Sequence, residues 1–283
     1  MKVKKAKKLR PSDYVIKSIL YLYALLVIFP IIWIVYTSFK TNMEFVANPW
    51  ALGQGLAFEN YVNAWVRVNF GTYMLNSFII TLAAVAITTV LASSTSYILV
   101  RMKRLRLNNI IIFIFLSGMY VPTALILPSM FLLLNRMGLY DNRGTLVMLF
   151  VVFSLPYSIL ILTGFFRAMP REIEEAALVD GCGHNRTFWQ IVFPLARGGV
   201  ATTIIFNLIW IWNDYIFALT FIADPAKRTL PVGIIGLMAT FRLRADWVTL
   251  FAGLNMVMIP TIVLYIIFQK KLTGGLIAGA VKG

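Results

Sequence analysis

Six apolar runs, at about 19–39, 75–100, 110–134, 144–166, 200–222 and 248–269, constrain this chain more than any other feature of its sequence. Crossing the hydrocarbon core of a bilayer takes roughly 20 mostly apolar residues in a helix, because a helix satisfies its own backbone donors and acceptors where no water is present. Each run is long enough. The chain shows no internal repeat, low-complexity tract or soluble linker between them. The longest polar-bearing stretch outside the runs, 41–74, contains NPWALGQGLAFENY, whose Pro, Gly and Asn signal turns rather than a domain. A content of 60% hydrophobic and 13% charged residues and a mean hydropathy of +0.81 agree with an all-α integral membrane protein of six transmembrane helices.

Sidedness follows from the cations, since short cytoplasmic loops collect Lys and Arg. With the N-terminus inside, 18 of the 26 Lys and Arg fall on inner segments. These are the N-terminal group from Lys2 to Lys17, the cluster Arg101, Lys103, Arg104 and Arg106, then Arg167, Arg171, Arg186 and Arg197, and finally Lys270, Lys271 and Lys282. Both termini are therefore expected in the cytoplasm. The basic start MKVKKAKKLR resembles the front of a signal peptide, but no small-x-small cleavage site follows, so it reads as the flank of an uncleaved first span.

The same charge bias argues against nucleic acid as a partner. The formal charge is +15, yet no basic stripe interleaved with aromatics appears on a soluble module, and the lipid bilayer accounts for the cations. Cys182 and His184 are the only residues of their types, which excludes an internal disulfide and a metal cluster built from them alone. Their closeness in a turn, with no third orienting group, is incidental loop chemistry rather than a nucleophile and base. No G-x-x-x-x-G-K-[ST] phosphate loop, zinc-protease signature or G-x-S-x-G elbow occurs. The chain is not expected to be an enzyme, to bind a cofactor or to hold a metal.

Within the runs, Pro30, Pro122, Pro128, Pro156 and Pro260 each remove a backbone donor, and the freed carbonyls need partners, for which Thr123, Ser129 and Thr261 stand nearby. Asp214 is the acid placed well inside a run. With Asn207, Trp212 and Asn213 it defines a candidate translocation cavity, where polar groups exchange hydrogen bonds with a solute; the alternative is that these groups pair with neighbouring helices and fix the bundle. Trp210, Trp212 and Tyr215 carry a similar choice between stacking on a solute and settling at a membrane interface.

One cytoplasmic interruption, EEAALVDGCGHNRTFWQIVFPL with Glu172 just ahead of it, gathers four of the chain's 11 acids. Pro170 suits the start of a helix, and Glu172, Glu174 and Glu175 suit its positive end. Ala176, Ala177 and Leu178 propagate it, and Asp180-Gly181 ends it, glycine tolerating a left-handed turn. Asn185 is placed to cap a second short helix running through about Gln190, which Pro194 must break. Small residues on the first helix suit close approach of another surface.

The pattern Glu175-Ala176-Ala177, Gly181, Ile191 and Phe193-Pro194-Leu195 resembles the EAA loop of binding-protein-dependent ABC importer permeases, with Phe193 where leucine is more common. WNDY at 212–215 and the tail GLIAGAVKG at 275–283 are similar to motifs of the carbohydrate subgroup, in its MalG-like half. That resemblance covers almost the whole chain and implies a type I ABC importer permease fold in a prokaryotic cytoplasmic (inner) membrane. The chain would then divide into a basic N-terminus (1–18), a first helix with its outer loop (19–70), a permease core (71–270) holding the coupling loop at 167–199, and a cytoplasmic tail (271–283). It implies further that Glu174, Glu175, Ala176, Ala177, Asp180, Gly181, Ile191 and Pro194 form the surface that docks on a separate ATPase, Glu175 meeting a basic residue there. Implied partners are a second related permease, two ABC ATPase subunits that carry ATP and Mg, and an extracytoplasmic solute-binding protein approaching Arg242 and Arg244. The solute would be a sugar or oligosaccharide, with a polyol or glycerophosphodiester as the alternative. A reading from another class, an ion-coupled secondary transporter, is disfavoured by a single intramembrane acid and the lack of repeats.

Overall fold

The computed structural model describes residues 11–67, 69–101 and 107–280. The basic residues of 1–10, Lys103, Arg104 and Arg106, and the end of the tail at 281–283 lie outside the described residues. In chain order the helices are α1 (Pro11–Thr37), α2 (Asn42–Ala47), α3 (Glu59–Arg67), α4 (Phe70–Arg101), α5 (Asn108–Ser117), α6 (Thr123–Arg136), α7 (Arg143–Arg167), α8 (Glu172–Val179), α9 (His184–Thr187), α10 (Phe193–Leu195), α11 (Arg197–Trp212), α12 (Ile216–Phe221), α13 (Leu230–Arg244) and α14 (Trp247–Ala280). Every described regular element is helical, as the sequence led us to expect.

Four helices are long and apolar enough to cross a bilayer alone, those containing 14–37, 70–101, 143–167 and 247–269. The third run is bent within its length, and the chain leading into the fifth run is bent just ahead of it, at Ala196. Asn108–Tyr120 and Thr123–Arg136 meet at 97°, and His184–Leu195 and Arg197–Trp212 meet at 75°, so six spans result only if each bent pair is one span. The first bend has a local cause. Pro122 disfavours the helical conformation at the residue before it, and Val121 is extended at φ −81°, ψ 116°. Pro30, Pro128, Pro156 and Pro260 ride inside continuous helices instead. Thr261, a candidate partner for a freed carbonyl, bonds Asn213 Oδ1 at 3.4 Å.

The described residues form two compact units, one of the chain up to Val68 with Leu237–Met256, the other of Asn69–Gly236 with the residues from Val257 onward. In the first unit Trp33 packs on Trp50 and Phe251 at ring distances of 5.1 and 5.7 Å. Lys40 is buried there with its ammonium donating to the carbonyls of Pro49 and Ala51, which is how the charge is tolerated. Asn60 ties the same turn by donating to the Ser38 and Lys40 carbonyls, both at 2.8 Å.

The second unit is built on the pair α4 and α7. The buried side of α4 is rich in small residues, Ser77, Thr81, Ala84, Thr88, Ala92 and Ser96, which lets the backbones approach closely. Ser96 Oγ donates across to the Ile159 carbonyl at 3.3 Å. Helix α11 joins them at Gly199, where a Cβ would sit 2.5 Å from the Phe165 ring, so only glycine fits. Two apolar clusters result. One gathers Ile80, Phe150, Ile211 and Phe221; the other gathers Ala92, Leu99, Ile159, Leu162 and Phe166 with Phe188 and Val192.

Candidate functional site

Helix α8 ends in a Schellman turn: Gly181 has φ +82°, its N–H bonds the Leu178 carbonyl at 3.1 Å, and the Cys182 N–H bonds the Ala177 carbonyl at 2.9 Å. The left-handed glycine expected from the sequence is therefore in place. Three local expectations are corrected. Helix α8 begins at Glu172 with Arg171 ahead of it, leaving Pro170 outside the first turn. The residue preceding α9 is Gly183, so Asn185 lies inside the helix and caps nothing. Pro194 does not end the second helix. The turn ahead of it widens into a π segment, Phe188–Val192, in which the Phe193 N–H reaches back to the Phe188 carbonyl. Widening removes the clash between the proline ring and the carbonyl four residues earlier, and the chain bends instead at Ala196, where ψ is 6°.

The two halves of this segment face different surroundings. Glu172, Glu175, Ala176, Asp180 and Gly181 are exposed, and Val179 is 88% exposed although apolar. Ala177 is buried, as are Phe188 and Val192, which root the segment in the cluster shared by α4 and α7. Ile191 is half-buried and Pro194 exposed. Glu174 turns inward: its carboxylate accepts from Arg101 Nε at 2.6 Å and from the Tyr97 hydroxyl at 3.0 Å. A cleft of about 440 Å³ opens beside them, lined also by Arg171, Glu175, His184 and Trp189.

Each of the four residues expected at a membrane cavity has a bond or ring contact within the chain. Asn207 is buried and donates to Ser158 Oγ at 2.9 Å. Trp212 is buried with its ring edge-on to Phe78 at 5.6 Å. Asn213 donates to the Ile209 carbonyl at 2.8 Å, and Asp214 Oδ2 accepts the Ala218 N–H at 3.1 Å in the first turn of α12. Asp214 thus satisfies the break between α11 and α12. Asn207 alone of the four lines a cavity of about 480 Å³ at the bend between α5 and α6. The rest of its lining includes Thr123, Ser154, Tyr157, Phe206 and Trp210, and Ser154 Oγ is buried with no hydrogen-bond partner. The sequence pointed to Trp210 and Thr123 for other reasons and missed Ser154 and Tyr157 of α7 and Phe206 of α11, which meet only when those two helices pack.

Outside the spans, Asp141 anchors the segment after α12. Its Oδ1 accepts the N–H groups of Ala223 and Asp224 at 2.9 Å each, and its Oδ2 accepts from Lys227 Nζ at 2.6 Å. The hydrogen bond from Lys227 first, and the Asp224 N–H next, hold this carboxyl below the usual range, while the Lys227 ammonium is raised chiefly by the same bond. Arg242 and Arg244 end α13. Their side chains lie outside the described part of the structure.

The described residues thus form an all-helical chain with four to six candidate spans and an exposed helix-turn-helix rooted against α4 and α7. The sequence pattern of the family described as "Binding-protein-dependent transport system inner membrane component" matches residues 90–274, and the chain belongs to that family. It is 32% identical over 262 residues to the diacetylchitobiose uptake system permease protein NgcG of Streptomyces coelicolor, covering 93% of this chain and 86% of that one. It is also 31% identical over 279 residues to the probable starch degradation products transport system permease protein AmyC of Thermoanaerobacterium thermosulfurigenes, covering 98% and 99%. A chain in the crystal structure of a bacterial ABC transporter involved in the import of the acidic polysaccharide alginate shares the fold, with a TM-score of 0.81, 23% identity, and 94% of this chain and 99% of that one aligned.

Proposed function

We propose that this chain is one of two paired permease subunits of an ATP-driven ABC importer that moves a sugar or oligosaccharide across a prokaryotic cytoplasmic membrane. The carbohydrate class is supported by the relatives, whose names give diacetylchitobiose and starch degradation products as cargo. Segment 167–199 docks on a separate ATPase. Glu175, Ala176, Asp180 and Gly181 present its outer face, Ala177, Ile191 and Pro194 set its shape, and ATP with Mg²⁺ is held by two ATPase subunits. Closure of those subunits drives the segment and alternates the spans between inward-open and outward-open states. An extracytoplasmic binding protein delivers the solute to the side carrying 223–247, with Arg242 and Arg244. The cavity at the α5–α6 bend lies on the solute's path, its aromatic faces and few polar groups suiting a sugar ring.

One observation carries this reading: the segment is exposed at its tip, Val179 included, yet rooted at Phe188 and Val192 in the core that α4 and α7 share. An exposed apolar residue on a rooted arm suits a partner surface. The test is purification of the tagged chain with its neighbours, followed by screening maltotriose, diacetylchitobiose and raffinose for stimulation of the reconstituted ATPase. Gly181→Asp or Glu175→Lys is expected to cut transport at least tenfold with membrane insertion unchanged. Normal transport by both variants, or purification of wild type without any ATPase, overturns the reading.

A further inference from the structure

Helix α8 has little to hold it against the rest of its unit. Of its 8 residues the only buried one is Ala177, whose single methyl gives an apolar contact free to slide. Glu174 supplies the directional link. Its two oxygens are bonded separately, one to Arg101 Nε at 2.6 Å and one to the Tyr97 hydroxyl at 3.0 Å, which fixes both the position and the rotation of α8 on the last turn of α4. Arg101 is itself held from a third side, its Nη2 donating to the Met169 carbonyl just beyond α7 at 3.1 Å. The Tyr97 ring packs on Phe166 of α7 at 6.0 Å and on Phe188 of the π segment at 4.8 Å. The pair is 10% and 13% exposed, so its charges are largely desolvated, and an apolar contact would hold the helices at lower cost. What an apolar contact would not do is fix register.

We propose that Arg101, Glu174 and Tyr97 form a clamp that carries displacement of the coupling segment into the cytoplasmic end of α4. Glu174 is then a positioning residue facing its own chain, while Glu175 beside it faces the ATPase. A push on the exposed tip would otherwise tilt α8 about Ala177 and dissipate in the loops at its ends. With the clamp intact, α4, the end of α7 and α8 move as one body, and the movement reaches the span that packs along α7.

This inference rests on the function proposed above, and its test separates the two. The complete importer, with both permeases, its ATPases and its binding protein, is reconstituted in liposomes, and sugar moved per ATP hydrolysed is measured with whichever screened sugar stimulates wild type most. Glu174→Gln and Arg101→Met are expected to lower that ratio at least fivefold with ATPase subunits still co-purifying, and Tyr97→Phe about twofold. The swap Arg101→Glu with Glu174→Arg is expected to recover at least half of the wild-type ratio. Spin labels on Val179 and Ile98 supply a second readout, their separation staying constant between nucleotide-free and ATP-trapped states in wild type and changing in Glu174→Gln. A coupled wild type with an equally coupled Glu174→Gln variant overturns the clamp alone, as does loss of ATPase binding in step with transport. A wild type that recruits no ATPase overturns the function and the clamp together.

Discussion

Two polar stretches of this chain, residues 172–190 and 207–228, treat their polar groups in opposite ways. In the first, Glu172, Glu175 and Asp180 are exposed, and Glu174 is the acid bonded within the chain. In the second, Asn207, Asn213 and Asp214 each bond a side chain or backbone group close by, and Asp224 caps its own turn. Polar groups satisfied at home add to the fold and leave little for a partner; polar groups left in the open, on a rooted base, leave much. Substitutions in the second stretch should therefore register first in stability, and those on the tip of the first in transport.

The largest expected effect tests the boundary of that contrast. Phe188 lies in the first stretch by position but is buried in the cluster with Leu162 and Phe166. Phe188→Ala should behave as a core truncation and cost about 3 kcal/mol or more. Thermal unfolding of the detergent-solubilised chain should show it as a clear loss, whereas Val179→Ala, with 88% of its residue exposed, should leave unfolding unchanged. Equal stability of the two variants would break the division between root and tip.

A smaller effect is expected at Asp214. Its carboxylate accepts the Ala218 N–H where the fifth run is interrupted, so Asp214→Ala removes an acceptor and should destabilise by about 1 kcal/mol. Asp214→Asn keeps an oxygen in place and should lose only a few tenths. Both variants should transport with unchanged coupling once assembled, as measured by sugar moved per ATP. A coupling defect in Asp214→Asn with normal stability would move this residue from the fold to the path of the solute.

The contrast also explains what could be read from the sequence. Helical class, the apolar runs and the left-handed Gly181 were legible because each depends on a few adjacent residues. The 97° bend was not, although Pro122 marked its place. Five prolines stood in apolar runs, and whether one kinks, breaks or rides within a helix depends on how neighbouring helices resatisfy the freed carbonyl. Of the cavity's lining, Asn207 was singled out, but Tyr157 and Phe206 were not, since they sit 49 residues apart and become neighbours, at a ring distance of 5.7 Å, only when α7 and α11 pack. The clamp was half visible: Glu174 was singled out with its neighbours, but nothing local to it names Arg101, 73 residues away.

The smallest expected effect concerns Asp141, which anchors residues 223–227 of the second stretch. Its carboxyl is depressed in the folded chain below its ordinary value of 3.8, so the stability it contributes is fully present above that value and is lost as pH falls through the lower folded value. Lys227 is raised above 10.5, so its share is present below that value and is lost as pH rises through the higher folded one. Between roughly pH 5 and 9 the anchor should thus be insensitive to pH. Hydrogen exchange at the Ala223 and Asp224 amides, corrected for its intrinsic pH dependence, should show constant protection across that window and a decline only as pH falls below 3.8. Asp141→Asn should remove the acid-side decline, because an amide neither titrates nor pairs with the ammonium. The Glu174 clamp gives an internal control within the same experiment: α8 amides should be indifferent to that substitution, and parallel loss at both ends would show that the two polar stretches are coupled rather than separate.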